Sequence, residues 1–72
     1  MQTFTAYIEF DPETHLYVGT IPSIPGAHTQ GATLDELQAN LKEVLTLCLE
    51  ELDDFLDDLP RFVGVQQVEV AV

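Results

Sequence analysis

An α+β fold of order β-β-β-α-β is predicted for this 72-residue chain from three features of its sequence. Apolar and polar residues alternate through two N-terminal stretches, prolines and glycines crowd residues 21–31, and leucines recur at spacings of three and four after them. Alternation is the period of a strand with one buried face, and the leucine spacing is that of one helix face. Together they predict a small antiparallel sheet with one long helix on one face.

The first strand is read from "MQTFTAYIEF", where Phe4, Ala6, Ile8 and Phe10 alternate with Thr3, Thr5, Tyr7 and Glu9. Asp11, Pro12, Glu13 and Thr14 supply turn chemistry: Pro12 fixes φ, and the Asp11 carboxylate accepts bonds from amides just downstream. The returning strand, "HLYVGTI", places Leu16 and Val18 on one face and His15, Tyr17, Gly19 and Ile21 on the other. On that reading Tyr7 and Tyr17 share the outer face.

Pro22 and Pro25 lack the amide that a ladder needs, so the chain leaves the sheet over residues 21–25. Pro25-Gly26 turns it back into a short third strand near residues 27–30, with positive φ expected at Gly26. A second reversal at Gly31 leads to "TLDE", a capping box. In it the Thr33 hydroxyl meets the Glu36 amide while the Glu36 carboxylate answers the Thr33 amide.

The helix starts at Leu34 and carries Leu34, Leu37, Leu41, Val44, Leu45, Cys48, Leu52, Phe55 and Leu56 on one stripe of about six turns. Pro60 stops it, and "RFVGVQQVEVAV" has the β-branched content of a last strand. Within that strand Val63 and Val65 occupy one parity and Val68, Val70 and Val72 the other. Either a bulge at Gln66-Gln67 absorbs the slip, or the strand pairs with a second copy and covers an open edge. A homodimer or higher homo-oligomer through Val68, Val70 and Val72 is the expectation, because a chain this small buries only about 60% of its unfolded surface alone.

Composition narrows the function. Lys42 and Arg61 stand against thirteen carboxylates, for a net charge of −11. That field repels a phosphate backbone and attracts basic surfaces, so direct nucleic-acid binding is not expected and a basic protein partner is. Cys48 has no disulfide partner and reads as a small core residue. No N-terminal signal pattern and no membrane-length apolar run is visible, which gives a cytoplasmic expectation without membrane attachment. His15 and His28 have no second histidine at helical i, i+4 spacing, so no metal site is expected. Nor is a phosphate-binding glycine loop or an activated nucleophile present, so no catalytic residues and no cofactor are assigned.

The stretch "YVGTIPSIPGAHTQGATLDELQANLKEVL" resembles the N-terminal domain of HicB-type antitoxins, the UPF0150 type, in a stand-alone short form. Tyr17, Pro22, Pro25, Gly26, Gly31, Thr33, Glu36, Asn40 and Glu43 fit that pattern, and the likeness spans nearly all of residues 1–72. It implies a single domain with a partial ribonuclease-H-like sheet and helix. It also implies a non-enzymatic antitoxin that neutralises HicA, a small basic mRNA interferase, by direct contact. Many such proteins continue into a DNA-binding domain, which is not expected in this chain; Ala27 stands where a small residue or cysteine often follows the turn. The alternative is a stand-alone interaction or ligand-binding domain without a cognate toxin.

Turn residues serve backbone geometry first: Gly26 and Gly31 through φ, Thr33 through capping, the prolines through stiffness. The helix acids lie away from the leucine stripe and read first as a solvated face. Asp53, Asp54, Asp57 and Asp58, however, gather where the helix dipole disfavours carboxylates. Glu43, Leu47, Glu50, Asp54 and Asp57 are therefore the residues expected to meet a basic partner, with Leu47 as an apolar element among carboxylates. A divalent-metal nuclease reading of the same acids fails, because an exposed helix end offers no ordered second shell.

Overall fold

Alternation in the first third of the chain becomes an antiparallel hairpin. The computed structural model describes residues 3–51 and 59–72. Its elements are β1 (Tyr7–Asp11), β2 (Leu16–Thr20), β3 (His28–Gly31) and α1 (Leu34–Glu51), and the sheet order is β1-β2-β3. The α+β class, with three antiparallel strands followed by one long helix, is as the sequence predicts.

At the hairpin turn the Glu13 amide donates to the Asp11 carboxylate at 2.9 Å, and the His15 amide donates to the Asp11 carbonyl at 2.8 Å. Closing the turn leaves His15 with φ 60°, in the left-handed region. Register pairs Phe10 with Tyr17 and Ile8 with Gly19 on β2. Tyr7 pairs with Thr20, so Tyr7 and Tyr17 lie on opposite faces and do not share the outer one. Tyr17 instead packs edge-on against Phe10, with ring centroids 5.2 Å apart, and belongs to the helix side. The decisive residue is Gly19, whose missing side chain admits Leu37 and Leu41 of the helix.

The long turn between β2 and β3 is itself core. The Ile21 amide donates to the Ala27 carbonyl at 2.8 Å, and the Ile24 and Ala27 amides donate to the Ile21 and Ile24 carbonyls at 3.1 Å each. Gly26 takes φ 81°, as expected of it. This closed loop buries Ile21, Ile24 and Ala27, which together with Leu37 and Leu41 form the core of the described residues. Phe4, Ala6, Tyr17, Leu45, Cys48, Leu49 and Leu59 pack around them.

Helix α1 packs over β2 and β3. Leu37 and Leu41 are its buried residues, and Val44, Leu45 and Cys48 are half-buried, as the stripe predicts. Leu34 departs from the stripe at 54% exposure. It is the first helical residue, and helical side chains lean toward the N-terminus, here past the end of the packed face. Leu52, Phe55 and Leu56 lie outside the described residues.

The last strand expected over residues 61–72 is not formed: residues 60–72 belong to no helix or strand. A strand is held by ladder bonds to a neighbour, and none connects this segment to β1 or β3 in the single chain. Its valines are exposed, with Val63 at 95% and Val68 at 79%.

Candidate functional site

The surface singled out by charge is the solvent face of α1, and the chain fixes that face with short-range chemistry. The Thr33 hydroxyl accepts from the Glu36 amide at 3.0 Å, and the Leu37 amide donates to the Thr33 carbonyl at 2.9 Å. The Glu36 carboxylate accepts from the Ala32 amide at 3.2 Å, one residue before the partner a capping box would give it. Asn40 donates from Nδ2 to the Gln30 carbonyl at 2.8 Å and so ties the second helical turn to β3. Gly31 permits the close approach: its φ is ordinary, and what it supplies is the absence of a Cβ where the Leu37 backbone passes. That corrects the expectation of an unusual φ at Gly31.

With the helix held in this phase, Glu43, Leu47 and Glu50 lie exposed on one stripe away from Leu37 and Leu41, with Leu47 on its side nearest the half-buried Val44. Leu47 is 56% exposed between the two carboxylates. Asp35, Glu36 and Glu51 are exposed on the same helix, while the last turn of α1 holds no basic residue. The arrangement suits an electropositive surface with an apolar spot at its centre. Asp54 and Asp57 lie outside the described residues.

The motif residues divide by role. Tyr17 is half-buried against Phe10, Gly26 and Gly31 answer to backbone geometry, Thr33 and Glu36 cap the helix, and Pro22 and Pro25 flank the buried Ile24 on the loop surface. Ile24 is the residue that sequence reasoning missed. Its signal was an isoleucine set between two prolines, which marks a loop folded inward.

Val68, Val70 and Val72 are exposed at 79%, 70% and 118%. Concavities are also present among the described residues. One, of about 370 Å³, lies between Tyr7, Pro22 and Ser23 and the segment from Pro60 to Val65. Another, of about 250 Å³, runs between Phe4, Ala6 and Ile21 and the helix residues Leu41 and Leu45. Among the described residues no group of three or more His, Cys, Asp or Glu side chains is placed to hold a metal ion, and no helix is long and apolar enough to cross a membrane. His28 is exposed on β3.

The chain is similar to several curated proteins of comparable length. A UPF0150 protein of Thermotoga maritima is 52% identical over 67 residues, covering 93% of this chain and 88% of the relative. A UPF0150 protein of Archaeoglobus fulgidus is 45% identical over 67 residues, 93% of each chain. A third, from Synechocystis, is 42% identical over 69 residues, 96% of each. No family model matches the chain, and no solved structure matches it.

Proposed function

We propose, since this chain belongs to the UPF0150 family, that it is an antitoxin-type binding protein of HicB-like character. It neutralises a small basic HicA-like mRNA interferase by direct contact in the cytoplasm and performs no chemistry itself. The observation that carries this reading is the stripe of Glu43, Leu47 and Glu50, which presents an exposed leucine between two carboxylates in a chain of net charge −11. A field of this sign speeds encounter with a cationic partner, and the apolar centre gives the encounter something to desolvate. The β-β-β-α order is consistent with the partial ribonuclease-H-like scaffold that the resemblance implies.

The test is growth rescue combined with copurification. A small basic protein encoded beside this chain, expressed alone, is expected to arrest growth. Co-expression with this chain relieves the arrest, and the two proteins copurify in fixed stoichiometry through a high-salt wash that screens loose charge contacts. Recovery of this chain alone, with no rescue by it of any small basic neighbour, overturns the reading in favour of a stand-alone interaction domain.

A further inference from the structure

We infer that residues 68–72 of one chain add as a fourth strand to the β1 edge of a second copy, giving a two-fold dimer. The receiving site is β1 itself. It is an edge strand, and α1 packs over β2 and β3, so Ile8 and Phe10 on the helix side of β1 remain 46% and 50% exposed. The same parity continues through Ala6 and Phe4 into the concavity of about 250 Å³ that Leu41 and Leu45 line together with Thr3, Gln38 and Lys42. An unpaired backbone edge flanked by exposed apolar side chains is a template for strand addition.

The donating segment fits that template in pattern and charge. Val68, Val70 and Val72 share one parity, so a strand beside β1 directs all three toward Ile8 and Phe10 while Gln67, Glu69 and Ala71 face the other way. All three valines are at least 70% exposed in the single chain. Only Glu69 of the thirteen acidic side chains falls in residues 59–72. The donated residues 68–72 thus carry a single negative side chain in a chain of net charge −11, so bringing them onto a second copy adds less repulsion than any acidic stretch of α1 would.

A second copy is favoured over closure on the same chain by where the segment begins. Residues 60–65 already lie against Tyr7, Pro22 and Ser23, yet no ladder bond joins the segment to its own β1. Residues 68–72 form no strand with their own chain, and their three valines stay exposed there. Two-fold exchange covers both edges and both valine segments in one step, because each chain is donor and receiver. The proposal is independent of the antitoxin reading, since it rests on β1 and residues 68–72 and needs no toxin.

Sedimentation equilibrium of the isolated chain tests it. The native protein is expected at twice the 8.0 kDa of one chain. Val68→Asp with Val70→Asp, at positions exposed in the single chain, is expected to halve that mass while leaving the helical circular dichroism unchanged. A native monomer, or a dimer indifferent to the double substitution, overturns the inference. A second measurement needs no variant: isotope-filtered NOE spectra of a mixed labelled and unlabelled sample should connect Val68 and Val70 methyls of one chain to Ile8 and Phe10 of the other. Such contacts found only within one chain would establish closure on itself and overturn the exchange.

Discussion

A Cβ built on Gly31 would lie 2.6 Å from the backbone nitrogen of Leu37 and 2.9 Å from its Cα. The obstacle is helix backbone, which cannot rotate aside, so α1 must retreat from β3 to admit even one methyl group. Gly31→Ala is expected to lower stability by about 1–3 kcal/mol, the range for overpacking a filled site. At Gly19 the nearest atoms are the methyl ends of Leu41 and Leu37 at 3.1 to 3.3 Å. Those ends move by rotamer adjustment, and Gly19→Ala should cost less than Gly31→Ala. Urea unfolding of both variants at one fixed protein concentration checks the order, and equal losses would refute the backbone argument.

Thr33 and Glu36 together satisfy amides at the start of α1 that have no partner within the helix. Thr33→Ala removes the hydroxyl that accepts from the Glu36 amide and is expected to cost about 1 kcal/mol. For a domain this small that loss lowers Tm by roughly 4–8 °C. Thr33→Ser keeps the acceptor and should recover most of it. Thermal unfolding followed by circular dichroism distinguishes the two, since a side chain valued only for packing would not be rescued by serine.

His15 holds φ 60° to close the hairpin turn, a conformation that costs a non-glycine residue roughly 1–2 kcal/mol. Its ring lies 6.3 Å from that of Phe10, a contact that offsets part of the strain. His15→Gly relieves the backbone and loses the contact, so stability should hold or rise, by up to about 1 kcal/mol. His15→Val, β-branched and without the ring contact, should fall well below both. A glycine variant less stable than the valine variant would show that the ring, not the backbone, decides this position.

What the sequence discloses here depends on how local the cause is. The Thr33 cap, the positive φ at Gly26 and the helical phase of Leu37 and Leu41 are set within a few residues, and all are present in the structure. Strand β2 is less legible because it carries apolar residues on both parities. Leu16 and Val18 compete with Tyr17 and Ile21, and the choice is made by Gly19, which lets the helix approach from one side. Ile24 is hidden for a related reason: its burial comes from closure of the loop by the Ile21 and Ala27 hydrogen bonds, not from any periodicity. The valines of residues 61–72 show strand propensity plainly, but propensity names no partner, and a strand without one does not form. For the helix surface, the phase that buries Leu37 already directs Glu43, Leu47 and Glu50 outward, so that part of the candidate face is legible from spacing alone.

That face yields the prediction most directly tied to function. Glu43 and Glu50 are exposed and separated by two turns, with Leu47 between them. Reversing both charges, Glu43→Lys with Glu50→Lys, leaves the core untouched and should change thermal stability little. If the stripe steers a basic partner, the association rate should fall by tenfold or more at low salt, and the gap between native and variant should narrow as salt rises. Leu47→Ala should act differently, raising the dissociation rate with little effect on association, because an apolar contact forms only after encounter. Stopped-flow or surface-based kinetics across a salt series separates these effects. A double charge reversal with unchanged association would place the partner elsewhere on the molecule, and the acidic stripe would then serve only to keep the helix surface solvated.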